Sequence, residues 1–211
     1  ICMLTVENDG VQYVVESIRS EEIREAQEYN GIRVKLNAII GGARIPLQID
    51  IGYGDFIVPS LKEISYPVIL NFPAPQIRTY LREMVIAEKF HAMVSLGIIN
   101  SRMKDFYDIY TLVKSFEFTG DAICSAIKGA FDHRSTPIPN DVPFALTHDF
   151  SENPTKLTQW NAFILSGSIK NTSIDLYEVV ELLNLFFIPP VNSIINNKTL
   201  NSNWIPPGPW K

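Results

Sequence analysis

Lys104, Asp105 and Asp108 are the residues whose types and spacing first suggest chemistry. They lie in INSRMKDFYDIYTLV, with the two carboxylates three apart and therefore neighbours on a helix. At 100° per residue, Met103, Phe106, Tyr107, Ile109, Tyr110 and Val113 share the broad opposite face. Upstream, residues 76–95 read as a preceding helix. It has Ile77, Tyr80, Leu81 and Met84 on one face and a narrow stripe of Arg78, Arg82 and Lys89 on the other. Gly97 is the expected stop, and Asn100 or Ser101 the next N-cap. A cationic stripe followed by a Lys-Asp-x-x-Asp face can hold a polyphosphate and its metal. The bland reading, two solvated faces of ordinary amphipathic helices, is the commoner case on pattern alone.

Asp50 is the sharpest single residue. It stands in RIPLQIDI, a strand pattern ending in Gly52-Tyr53-Gly54-Asp55, where a carboxylate at a sheet edge can serve a metal. Its alternative is a solvent-facing strand position, because only one face of a hairpin needs burial. Asp55 fits an Asx hydrogen bond closing the turn. Gly52-x-Gly54 is no dinucleotide fingerprint: a third glycine is missing and a Pro-rich linker follows. His91 falls on the apolar side of its helix and reads as packed. His133 and His148 stand in irregular segments without a carboxylate or cysteine at metal spacing, and Ser or Cys nucleophile motifs are absent. Trp160, between Leu157 and Phe163, reads as a core anchor. Trp204 and Trp210, in the WIPPGPWK tail, either pack back or face a partner.

The elements that must position these side chains follow from the chain in order. Residues 11–20 read as a strand and 21–30 as a charged, helix-favouring connection. Residues 32–40 and 44–51 form two strands whose Gly41-Gly42 turn supplies the positive φ a tight hairpin needs. Alternation sets Ile45, Leu47, Ile49 and Ile51 against Pro46, Gln48 and Asp50. Residues 56–75, with four prolines, are extended. Further helices are expected over 120–131, 155–166 and 174–187, the last capped by Ser173 and ended by Pro189-Pro190. The organisation is α+β: a sheet segment over 1–72, then a mainly helical half with a Pro-rich tail over 73–211.

With 211 residues and 46% hydrophobic content, the chain can bury a core. Its net charge of −5 excludes a bulk basic field for nucleic acid, so RNA would need a local patch. Two cysteines make neither a disulfide framework nor a zinc site and suit a reducing cytoplasm. No apolar run approaches the roughly 18 residues of a membrane span, so no membrane partner is expected. ICMLTV lacks the basic region of a signal peptide, and a start at Ile1 reads as a chain missing its natural N-terminus.

Three stretches carry a resemblance. RVKLNAIIGGARIPLQIDIGYGD, AEKFHAMVSLGIINSRMKDFYDIY, and the helical end with LTQWNAF and WIPPGPW resemble the AbiEii/AbiGii-type nucleotidyltransferase toxins, bacterial members of the polymerase-β-like superfamily. The resemblance runs over nearly the whole chain. It implies a mixed or antiparallel nucleotidyltransferase sheet packed on a helical C-terminal half. The family's Gly-Ser turn and Asp-x-Asp strand match nothing in residues 1–31 and would lie upstream.

On this resemblance Asp50 is the third metal carboxylate, Lys89 meets the triphosphate with Arg82, and Lys104, Asp105 and Asp108 form the last motif. Nucleotidyl transfer uses Mg²⁺ held by clustered carboxylates to activate the attacking hydroxyl and neutralise the leaving pyrophosphate. Asp50, Lys89 and one of Asp105 and Asp108 are accordingly expected on one open cleft. The implied partners are an NTP, a tRNA 3′ end as acceptor, an antitoxin protein, and a second copy recruited by the truncated sheet edge. Without the upstream carboxylates these residues alone are expected to be nearly inactive. Two rivals stand beside the enzyme: a catalytically degenerate nucleotide- or partner-binding module, and an interaction protein docking through its tail or helical half.

Overall fold

A computed structural model describes residues 2–4, 8–24, 30–53, 61–166 and 174–211. The chain divides into two compact units, Ile1–Asp55 and Phe56–Lys211. The expected Asx turn at Asp55 and the cap at Ser173 lie outside the described residues.

The first unit is an antiparallel three-stranded sheet of β1 (Val11–Arg24), β2 (Asn30–Ile40) and β3 (Ala43–Gly52), in that order. Gly41 and Gly42 take φ of 55° and 84°, the paired positive values of a two-residue hairpin turn. Ile40 therefore pairs with Ala43, and the register runs unbroken to Gly31 opposite Gly52. This register puts Ile32, Val34, Leu36 and Ala38 beside Ile51, Ile49, Leu47 and Ile45 on one face. Arg33 and Lys35 lie beside Asp50 and Gln48 on the other. β1 continues through Glu21–Arg24, where a helix-favouring connection was expected. There the pairing with β2 outweighs the local propensity of a charged run. A bulge between Val14 and Arg19 breaks that ladder, and Ser17 Oγ accepts the Asn37 amide at 2.9 Å in its place.

The second unit opens with a small hairpin of β4 (Lys62–Ser65) and β5 (Gln76–Thr79). Residues 76–79 thus belong to a strand, and the helix expected from Gln76 begins at Arg82. The periodicity there was too short to separate a strand from a first helical turn. The helices are α1 (Arg82–Leu96), α2 (Met103–Ser115), α3 (Gly120–His133), the one-turn α4 (His148–Ser151), α5 (Pro154–Ser166) and α6 (Leu176–Ile195). Gly97, at φ 49°, ends α1, and Asn100 Oδ1 accepts the Arg102 amide at 2.8 Å just before α2. On α2, Met103, Phe106, Ile109, Tyr110 and Val113 are buried, as its periodicity requires. They join Phe90, Phe131, Phe150, Trp160, Phe186 and Phe187 in one helical core, with Phe106 stacked on Phe150 at 5.0 Å between centroids. Each buried side chain of this size is worth about 1.5–3 kcal/mol relative to exposure.

α6 is the largest departure from expectation. Asp175 caps it through the Tyr177 amide, and it runs straight through Pro189 and Pro190. Pro190 has no amide hydrogen, which leaves the Phe186 carbonyl without its helical donor. The indole of Trp210 supplies one at 2.9 Å. Among the described helices α6 alone is long and apolar enough, by length and composition, to cross a membrane. Its Leu176, Val179, Val180, Leu183, Phe186, Phe187 and Val191 are buried, which makes it a core helix.

Both tail tryptophans pack back on this unit. Trp204 is fully buried, and its indole donates to the Val113 carbonyl in the last turn of α2 at 2.7 Å. β7 (Asn203–Trp204) pairs with β6 (Phe118–Thr119), and Asn203 and Lys211 exchange backbone hydrogen bonds. Gly208, at φ 108°, lies so close to the Trp204 ring that a Cβ there would stand 2.5 Å from it.

Candidate functional site

Lys89 stands on α1, and Asp105 and Asp108 stand in the first turns of α2. The short Gly97–Ile99 3-10 turn folds the two helices together, and this brings the three side chains into contact. Lys89 Nζ lies 2.5 Å from Asp105 Oδ1 and 3.0 Å from Asp108 Oδ2. Lys104 Nζ reaches the same Asp108 oxygen at 2.6 Å across one helical turn. Asp105 also sits where the α2 dipole favours negative charge. Lys89, Asp105 and Asp108 are about one-fifth exposed, whereas Lys104 is 72% exposed.

Burial of Lys89 opposes its charge, but hydrogen bonds and attraction from Asp105 and Asp108 outweigh that and raise its pKa above the ordinary lysine value. The ammonium is therefore charged throughout the physiological range. The group is a compact, balanced cluster of two cations and two anions, with one cation, Lys104, at the water boundary.

The other members of the expected stripe are elsewhere. Arg78 is on β5, opposite Glu63. Arg82 begins α1 and lays its guanidinium 3.7 Å from the Phe116 ring centroid, a cation–π contact. Beside Lys89, Glu88 pairs with Arg134, the residue just after α3. His91 is buried against Phe131 and shares hydrogen bonds with Thr136 and Ser95, so it is packed as the sequence suggested. His148 lies 3.1 Å from Glu181 and edge-on to Tyr177.

Asp50 belongs to the first unit. The register places it directly across from Arg33, whose guanidinium grips both carboxylate oxygens at 2.8 and 2.9 Å. Gln48 adds a third donor at 3.3 Å. These bonds, Arg33's first, hold Asp50 below its ordinary pKa. Glu21 and Lys35 form the neighbouring pair at 2.7 Å on the same face. Among the described residues no three His, Cys, Asp or Glu side chains gather as a metal group. With Arg33 on both Asp50 oxygens, the described residues do not make a Mg²⁺ site by themselves.

Sequence reasoning passed over Arg33, whose role appears only once the hairpin register pairs it with Asp50. It also passed over Lys156, which lies four residues before Trp160 and so on the same buried face; that spacing was the available signal.

A family model described as nucleotidyl transferase AbiEii toxin, type IV toxin–antitoxin system, matches residues 4–180. No curated protein and no solved structure matches the chain. The matched span takes in both the β1–β3 sheet and the α1–α2 cluster. The α+β fold agrees with it. The chain belongs to the AbiEii family of nucleotidyltransferase toxins.

Proposed function

We propose that the full-length protein transfers a nucleotide from an NTP to an acceptor hydroxyl, with the 3′ end of a tRNA as acceptor, these 211 residues being nearly inactive by themselves. The hydroxyl attacks the α-phosphate, the new phosphodiester forms, and pyrophosphate leaves. The observation that supports this reading is the Lys89–Asp105–Asp108–Lys104 cluster. Lys89 is a fixed, permanently charged ammonium suited to a phosphate, and its orientation is set by two carboxylates. Lys104, more exposed, can leave Asp108 for the triphosphate, and Arg82 can join it only by leaving the Phe116 ring. Asp105 and Asp108 act as positioning groups for Lys89.

Asp50 is assigned to Mg²⁺ on the family resemblance, and its release from Arg33 is the condition for that role. The family's toxin–antitoxin character brings an antitoxin protein as partner, and the substrates place the activity in the cytoplasm. Among the described strands β1 and β3 are the outer ones of their sheet, so self-association through a strand edge is part of the same proposal. The test is incubation of the full-length protein with each labelled NTP and total tRNA, with and without Mg²⁺. Label in tRNA supports transfer, and its absence from every combination overturns it.

One observation favours a second reading. Arg33 occupies Asp50, and no group of three metal-ligating side chains is found among the described residues. A chain that binds nucleotide without turning it over would hold NTP in the absence of Mg²⁺ and incorporate none.

A further inference from the structure

Lys156 is 3% exposed, in the first turn of α5, and no carboxylate among the described residues pairs with it. Its Nζ donates to the Asn100 carbonyl at 2.7 Å and to Gln159 Oε1 at 3.3 Å, and lies 5.5 Å from the Phe150 ring centroid. Burial alone pulls its pKa below the ordinary lysine value. A buried ammonium with no counter-charge is costly, and an apolar side chain would fill this place beside Phe150 without that penalty. What an apolar side chain cannot do is donate to a buried carbonyl.

The carbonyl in question is at a node. Asn100 is 1% exposed and stands in the connection between α1 and α2. Its amide donates to the Gly97 carbonyl at 3.2 Å, and the Gly97 amide closes the end of α1 on Met93. Its side-chain oxygen accepts the Arg102 amide at 2.8 Å, and the Arg102 carbonyl accepts the Asp105 amide at 2.9 Å. A continuous hydrogen-bonded path therefore runs from Lys156 through Asn100 and Arg102 to Asp105.

We infer that Lys156 is a positioning residue for the Lys89–Asp105–Asp108 cluster: by fixing the Asn100 carbonyl it sets the first turn of α2 against α1. The catalytic meaning of this rests on the nucleotidyl-transfer reading, while the geometric claim does not. Lys156 touches none of the reacting groups. Its charge serves to make a strong, directed hydrogen bond where the chain turns, so that Asp105 meets Lys89 in a single arrangement.

The test uses the full chain without nucleotide and follows solvent exchange of the Lys89 ammonium protons by ¹⁵N NMR at neutral pH. In the parent, Asp105 and Asp108 slow that exchange. Lys156→Met, with the charge and donor gone, is expected to speed it about tenfold, and Lys156→Arg, which keeps both, to stay near the parent. Folded Lys156→Met with parent-like Lys89 exchange overturns the inference, because a purely structural lysine would lower the melting temperature alone. Should Lys156→Met not fold, Asn100→Ala breaks the next link while leaving Lys156 in place. Faster Lys89 exchange in that variant supports the path, and unchanged exchange overturns it. Failure of the full-length protein to incorporate nucleotide refutes the transferase reading and leaves the exchange result standing.

Discussion

Lys89 and Asp105, sixteen residues apart in the chain, meet at 2.5 Å where α1 and α2 fold together. With Asp108 at 3.0 Å from the same ammonium, the lysine is neutralised twice over before any ligand arrives. A triphosphate must therefore compete with carboxylates already in place, and the site gains in orientation what it gives up in raw attraction.

Lys89→Ala is expected to weaken NTP binding by the loss of a charge-assisted contact, about 1.5–3 kcal/mol or about 10- to 150-fold. It should also destabilise the fold by about 1–3 kcal/mol, because Asp105 and Asp108 are left facing each other with Lys104 alone between them and water. Adding Asp105→Ala should recover part of that stability without recovering the binding. Urea unfolding and calorimetric titration with NTP separate the two effects.

The raised pKa of Lys89 makes a pH prediction with a definite sign. A group protonated more tightly in the folded state stabilises fully below its unfolded pKa, and the contribution is lost as pH rises through the folded value. Stability should thus decline from about pH 10 upward, and Lys89→Met should flatten that limb relative to the parent. Parallel alkaline limbs in the two proteins would show that the ion pairs contribute nothing to it.

Arg33→Ala tests the hold on Asp50. Removing the guanidinium should raise the Asp50 pKa toward the ordinary carboxylate value, followed by carboxyl ¹³C shifts on acidification. The stabilisation belonging to Asp50 exists above its unfolded pKa and is lost as pH falls through the depressed folded one. Because Asp50 is exposed, Asp50→Asn should lower the melting temperature only slightly and, in the full-length protein, abolish incorporation. Full incorporation by Asp50→Asn would remove this carboxylate from the mechanism.

Much of this architecture is legible where local and tertiary signals agree. Gly41-Gly42 marks a tight turn and the alternating strands around it share one register, so the Asp50 face follows by counting. The apolar positions of α2 recur at the helical period, so Lys104, Asp105 and Asp108 are sorted to the other side. Partners brought by distant segments are another matter. Gln76–Thr79 is a strand because Lys62–Ser65 lies beside it, and Arg33 matters because it stands opposite Asp50. Pro189 and Pro190 look like a stop. At Pro190 the loss is made good by a tryptophan about twenty residues later, which supplies the Phe186 carbonyl with a hydrogen bond that the helix cannot.

That exchange predicts a rescue. Trp210→Phe keeps the ring and deletes the donor to Phe186, which should cost about 1–2 kcal/mol in a two-state unfolding experiment. Pro190→Ala restores a backbone amide at the helical position. In that background Trp210→Phe should cost measurably less, and equal costs in both backgrounds would show that the indole and the missing amide are independent.

The fastening of Trp204 to Val113 and of Trp210 to Phe186 has a consequence for synthesis. The nascent chain must carry α2 and α6 with uncompleted carbonyls until residues 204 and 210 have left the ribosome. The part of the core between α2 and α6 then stays open until that stretch has been translated. Ribosomes that stall or terminate between α6 and Trp204 would release a protein in which α1–α6 have been made and the place of Trp204 in the core is empty, so quality control can recognise the product by that unfilled core.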